Sequence, residues 1–442
     1  MFIEPQQSGD KKLLQNQFNE KPYPDFNFDE PFDANNFNEL FKHSFFLPYI
    51  KSFQSFCNTS GARILDVGCG SGHKLLYLAK ANPGALITAV DFSSESLEVA
   101  SQRMKFHSID GVDFHCVSLD DIPLLGKSFD FINCDEVLYL SGDITASLSV
   151  LKSVLNPQGI IRANLHNYYA RFYNNCSQEL FEFLGLKSEP PGQFRRDVVR
   201  LFMNSLVDGG FFKESVFPKE VQITDSFIDT NLILFGDKGF TFPQLFSFLE
   251  DSGLSFVDLL DAPQWDLNIL FPESKNSGNF FNILEMLEEF DNKDKFHIFE
   301  LLGFSRRLMD FWCCRDEDIN VNIKPSISLA DSTIVLNPLL NVDIVKKDII
   351  NSCQNFLPFE VSKYITVSSP FPVFIESSQA FLLLVLFDRN VKFIDLVNDF
   401  VNRPFVDSSG NYFSSMDFDQ SFSLVSKLIY SLESCSFLFV LP

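Results

Sequence analysis

Residues 62–72 read ARILDVGCGSG, an apolar strand that runs directly into three alternating glycines, Gly68, Gly70 and Gly72. A strand ending in such a turn and opening a helix, here HKLLYLAKAN from His73, brings bare backbone N–H groups up against a ligand. Nineteen residues past Gly72, the next apolar run, LITAVDF, reaches Asp91. An acid at the tip of the second strand is where an α/β nucleotide-binding crevice holds ribose hydroxyls. Helix capping alone explains an acid at this point, but not its coincidence with the glycines.

The alternation continues for about two hundred residues. SSESLEVASQRMKFH predicts a helix capped by Ser93 or Ser94, with a third strand, VDFHCVS, at 112–118. After the loop DDIPLLGKS, FDFINCDEV (129–137) predicts a fourth strand. The segment ITASLSVLKSVLNPQG predicts a helix stopped by Pro157 and Gly159, followed by a fifth strand, IIRANLH, at 160–166. Regular alternation of this kind predicts a parallel sheet with right-handed crossovers.

The DxGxGxG spacing from Asp66, the acid at Asp91, the FDFI strand followed by VLYL, and the LNPQG helix end together resemble the class I S-adenosylmethionine (SAM)-dependent methyltransferases. The resemblance implies a Rossmann-like sheet and SAM as cofactor. It implies that Asp66 anchors the ammonium of the methionine end, that Gly68, Gly70 and Gly72 let that end lie against the chain, and that Asp91 accepts both ribose hydroxyls. Cys69, Phe92, Leu119 and Asp135 complete the implied cofactor contacts. Many relatives end the third strand with an acid for the adenine amino group; alignment puts Ser118 there, with Asp120 and Asp121 as substitutes. The NCDEVLYL segment lacks the NPPY-type loop of enzymes that methylate glutamine or adenine, and its Asp135 and Glu136 are candidates to face a cationic acceptor or to cap a helix. His166 and Tyr168, at the end of the fifth strand, are the acid/base candidates, because a strand's carboxyl end points them at the crevice.

A chain of 442 residues predicts more than one domain. The net charge of −23 argues against nucleic-acid phosphates and anionic membrane surfaces as partners and favours a basic partner at encounter. The 53 Phe read as a compositional bias toward aromatic core packing. Nine cysteines without a CxxC pair, and six dispersed histidines, give no metal-ligand spacing and suggest a reduced, cytoplasmic setting. The longest apolar run, AFLLLVLF at 380–387, is too short to span a bilayer.

Four regions are expected: an aromatic-rich arm at 1–55, a methyltransferase domain at 56–262, a helical extension at 263–318 and a C-terminal α+β, winged-helix-like domain at 319–442. Tyr23 and His43 are lid candidates by resemblance to arms that precede this fold in bacterial relatives. TFPQLFSFLEDSG and LSFVDLLD (241–261) predict the sheet's closing helix and strand, leaving about 168–240 as an insertion over the carboxyl ends of the strands. Residues 280–315 read as two helices. The expected activity is methyl transfer by in-line displacement to a small-molecule acceptor. The alternatives are a protein-lysine methyltransferase with a C-terminal recognition domain and a catalytically inactive SAM-binding scaffold. A closed apolar chamber at the site would favour the small molecule; an exposed acidic groove would favour the protein.

Overall fold

The computed structural model describes residues 7–55, 57–187, 192–219, 222–271, 281–303, 306–319, 328–365, 372–401, 405–406, 412–413 and 417–442. Two compact units divide the chain. One holds residues 1–32, 58–260 and 278–318, and the other holds 33–57, 261–277 and 319–442. The described residues of 33–57 therefore pack with the C-terminal region, whereas those from 7 to 32 pack with the glycine-rich part of the chain.

The first unit is built on a seven-stranded sheet. Its strands are β1 (Arg63–Val67), β2 (Leu86–Asp91), β3 (Asp113–Cys116), β4 (Phe129–Cys134), β5 (Leu155–His166), β6 (Leu254–Leu259) and β7 (Leu308–Arg315), in the order β3-β2-β1-β4-β5-β7-β6. β1 to β5 run parallel, β7 lies antiparallel to β5, and β6 lies antiparallel to β7. The reversal between β2-β1 and β1-β4 opens a crevice at the carboxyl ends of these strands, the position that binds ligands in open α/β sheets. Ile64, Leu65, Phe131, Ile132, Ile160 and Ile161 are fully buried, as a sheet covered on both faces requires. Helix His73–Ala81 follows the glycine turn, and a Cβ on Gly72 would stand 2.8 Å from the Ala100 Cα, so glycine lets it close onto helix Ser94–Phe106. Ser93 caps the latter helix through the Ser96 N–H at 3.1 Å.

Two sequence expectations change here. Residues 280–315 do not end in a second helix. Helices Phe281–Glu288 and Asn292–Leu301 are followed by β7, LMDFWCCR, inserted between β5 and β6. Six of its eight residues are buried, so both faces are covered and the alternation that marks a half-exposed strand is missing. The sheet therefore extends past 262, into the region expected to be a helical extension. In addition, helix Ile144–Ser153 ends before Pro157, and β5 begins at Leu155, which pairs with Phe129 of β4 across a bulge.

The insertion between β5 and helix Phe242–Asp251 is helical: Phe172–Phe183, Gln193–Ser205, Phe211–Val216 and Asp225–Asn231. Phe181, Val199, Met203, Val216, Ile228, Leu232 and Ile233 form its own buried core.

The second unit is α+β. Its central strand, Thr333–Leu336, pairs antiparallel with Val391–Lys392 on one side and Leu438–Leu441 on the other. Phenylalanine supplies much of its packing: Phe46 meets Phe439 at 5.5 Å between ring centroids, and Phe393 meets Phe422 at 5.2 Å. No helix among the described residues is long and apolar enough to cross a membrane.

Candidate active site

The glycine turn is tied to the second strand before any ligand enters. The N–H groups of Gly68 and Cys69 both donate to the Val90 carbonyl, at 2.8 and 3.1 Å. Gly70 donates to the Asp91 carboxylate at 2.9 Å, and the second carboxylate oxygen accepts from the Ser93 N–H at 2.9 Å. Burial raises the Asp91 carboxyl above its ordinary range, and the Ser93 and Gly70 N–H groups offset part of that rise. Each oxygen keeps a further lone pair for a ribose hydroxyl. Gly70 has φ +52, and a Cβ there would lie 2.3 Å from the Tyr23 carbonyl oxygen. The arm crosses the turn at that point, where Ser71 holds the Tyr23 and Pro24 carbonyls through its N–H (3.0 Å) and hydroxyl (2.7 Å). Arg103 fastens the arm from below, donating to the carbonyls of Ser71, Asn27 and Phe26.

Asp66 is buried at the end of β1. One oxygen accepts from the Asn133 amide at 2.7 Å, and the other has no hydrogen-bond partner. Burial pushes its carboxyl up to about 7 against the lowering effect of Asn133. A buried acceptor left open beside a glycine turn fits the ammonium of SAM. Asn133 passes the network to Arg162, which also grips Asp310 through two nitrogens at 3.0 and 2.7 Å and lies 3.3 Å from Asp135. Asp135 accepts from Asn164 at 2.6 Å and forms an ion pair with Lys74 at 2.8 Å.

At the carboxyl end of β5, His166 is 2 % exposed. Its Nδ1 lies 2.6 Å from Asp237 and its Nε2 lies 3.1 Å from an Arg307 nitrogen. The Tyr139 ring stacks on the imidazole, with centroids 3.7 Å apart and planes at 20°. Burial lowers the His166 pKa, Asp237 and Glu136 oppose that shift and Arg171 adds to it. Burial raises Asp237, but His166, Arg171 and Gln178 outweigh it and hold the carboxyl at about 2. Burial likewise opposes ionisation of Glu136, which Arg307 and Lys74 bring down to about 2. Glu136 pairs with Arg307 through both carboxylate oxygens.

Local structure explains how these groups meet. Asn167 ends β5 by turning its side chain back to the N–H groups of Tyr169 and Ala170, and its own N–H donates to the Arg307 carbonyl at 2.9 Å. Where the insertion returns, Phe240 exchanges backbone hydrogen bonds of 2.8 Å with His166 and Tyr168, which sets Asp237 beside the ring. Gly68 stands against Val137, so the Glu136–Tyr139 segment lies between the glycine turn and His166.

The structure thus brings Asp66, Gly68, Cys69, Gly70, Gly72 and Asp91 to one crevice, with Asp135 and His166 farther along the sheet. Phe92 offers its carbonyl to the Gln15 side chain of the arm at 2.6 Å. Ser118 spends its hydroxyl on Asp121 at 2.7 Å, and Leu119 begins the short helix Leu119–Leu125. Tyr168 is 40 % exposed and lines an open cleft of about 340 Å³ with Asn175, Glu179, Glu182 and Asp237. His43 is fully buried within the second unit, its Nδ1 2.8 Å from the Glu39 carbonyl. Asp237 and Arg307 were missed by the sequence reading. Neither belongs to a recognisable motif, and only the folded chain puts either against His166.

Comparison with known proteins agrees with this geometry. A family model described as a methyltransferase domain matches residues 58–191. The chain is 31% identical over 234 residues to an uncharacterized protein of Synechococcus sp., syc1184_c, covering 52% of this chain and 55% of that one. It is 38% identical over 104 residues to the ubiquinone biosynthesis O-methyltransferase of Xanthomonas axonopodis pv. citri, covering 23% and 41%. The chain therefore spans about half or less of the length of these curated relatives. Among solved structures, PKMT2 from Rickettsia typhi shares the fold with a TM-score of 0.58 at 17% identity, over 95% of this chain and 78% of that one. A second structure of PKMT2, in complex with AdoHcy, has the same TM-score at 16% identity. Residues 58–191 carry a methyltransferase domain whose fold and glycine-rich crevice are those of the class I SAM-dependent type, and SAM is the cofactor of that class.

Proposed function

We propose that the chain transfers the methyl group of SAM to a proton-bearing nucleophile on a polypeptide side chain, with His166 accepting the proton. The observation that carries the methyl-transfer reading is the pairing of the Gly70 N–H with the Asp91 carboxylate at the switch point of the sheet. Bound SAM supplies a methyl carbon on a sulfonium that departs as a neutral thioether. In this reading Asp66 holds the ammonium, Asp91 the ribose hydroxyls, and the glycine turn the methionine backbone. His166, neutral and aligned by its neighbours, takes the acceptor's proton. Tyr168 lines the approach for the acceptor.

The polypeptide acceptor rests on the character of the site. His166 is bordered by Glu136, Arg307, Asp237 and Tyr139 rather than by an apolar chamber, and the adjoining cleft is open and lined by charges of both signs, Glu179, Glu182, Lys187 and Lys238. The likeness to PKMT2 along most of the chain is consistent with this choice. A small acceptor, the second reading, draws support from the stretch shared with the ubiquinone O-methyltransferase. Methyl-tritiated SAM incubated with the protein and a bacterial extract separates the two. Label in acid-precipitable polypeptide is the expected result, and label confined to the soluble fraction would sink the polypeptide acceptor.

Two further outcomes test the cofactor site. Asp91→Ala should weaken SAM binding roughly ten- to hundredfold by titration calorimetry, the worth of about 1.5–3 kcal/mol for a hydrogen bond to a charged group. SAM affinity should also rise as pH increases through about 7, because the ammonium selects the ionised form of Asp66. For stability the sign is opposite. The folded pKa of Asp66 is raised, so its favourable contribution is present below the unfolded value near 3.8 and is lost as pH climbs through about 7.

A further inference from the structure

We propose that Asp237 and Arg307 are opposed positioning residues that fix His166 as its Nδ1–H tautomer and reserve Nε2 as the atom that receives the acceptor's proton. The inference rests on the methyltransferase reading above and adds to it the atom used and the two groups that select it.

The argument uses donor and acceptor inventory alone. An ionised carboxylate only accepts, so the 2.6 Å contact with Asp237 requires a hydrogen on Nδ1. A guanidinium only donates, so the 3.1 Å contact with Arg307 requires a lone pair on Nε2. The two partners come from different parts of the chain and demand the same tautomer. Each is pinned in turn. Asp237 accepts from Arg171 at 2.8 Å and from Gln178 at 2.6 Å, while Arg307 is held by both oxygens of Glu136. Tyr139 fixes the plane of the ring. The groups facing the imidazole are thus Asp237, Arg171, Arg307, Glu136 and the Tyr139 phenol.

Arg307 occupies the Nε2 lone pair until an acceptor arrives. Its side chain is 49% exposed, and its Nη2 pairs with Glu136 apart from the Nη1 that touches His166, so it gives up the imidazole without leaving the site. The acceptor's X–H bond then breaks toward Nε2 as its electron pair forms the new bond to carbon, and the C–S pair passes to sulfur. Asp237 balances the histidinium that results. The neighbouring guanidinium repels that cation, which favours return of the proton to water and resets the ring.

Nitrogen-15 histidine labelling of the full chain tests this without SAM or acceptor. Only six imidazoles report, and His166→Gln assigns the one of interest. At neutral pH the ring should show a protonated Nδ1 and a bare Nε2. Arg307→Met should keep that tautomer and move the titration upward, whereas Arg307→Lys should restore the wild-type midpoint. Asp237→Asn should shift the population toward the Nε2–H form. An Nε2–H ring in the wild type, or a titration unmoved by Arg307→Met, overturns the proposal. Arg307 is half-exposed, so that variant decides even if Asp237→Asn does not fold. Failure of SAM binding in the calorimetric test would instead overturn the methyltransferase reading.

Discussion

Arg162→Met is expected to destabilise the first unit by about 3–5 kcal/mol, the cost of leaving buried charge uncompensated. Arg162 is 1% exposed and is the cation between Asp310, held through two nitrogens, and Asp135 at 3.3 Å. Removing it also strips the Asn133 carbonyl of a donor and loosens the amide that steadies Asp66. The double variant Arg162→Met/Asp310→Leu should recover much of the loss, because an apolar pair of similar volume incurs no ionic desolvation. Urea unfolding of the two variants gives the comparison. Equal loss in both would mean that packing, and not charge, sets the cost.

Gly70→Val should have the largest effect on the cofactor. A branched side chain at φ +52 carries about 1–3 kcal/mol of backbone strain. In addition, its Cβ meets a backbone oxygen of the arm at 2.3 Å, and a carbonyl in a hydrogen bond to Ser71 cannot swing aside as a flexible side chain would. The arm must lift or the turn must deform. The expected result is a loss of SAM affinity exceeding about 100-fold, with new protease cleavage before residue 33. Wild-type affinity in the variant would show that the turn does not touch the cofactor.

Much of the sheet was legible because its signals are local. The glycine turn, the acid at Asp91 and the Ser93 cap each lie within a few residues of the element they define, and β1, β2 and β4 appear close to where their apolar runs predict. β7 was not legible, since a strand buried on both faces lacks a two-residue period and here follows two genuine helices. The same distinction separates the two halves of the site. The cofactor half is written in consecutive residues. The acid/base half joins His166 to Asp237 and Arg307, which lie 71 and 141 positions away. Such a constellation has no spacing to read, and it exists only once the insertion has returned to β5. Tyr168 shows the converse: two residues beyond His166 in the chain, it already belongs to the open cleft.

The place of β7 sets an order of events during synthesis. β5 and β6 leave the ribosome well before residues 308–315, and in the folded sheet neither pairs with the other, because β7 lies between them. For that interval two apolar strands offer free edges, the arrangement most prone to join a neighbouring chain. A fragment ending near 262 would hold that condition permanently, so expression of residues 1–262 alone should give aggregate where the full chain gives soluble protein.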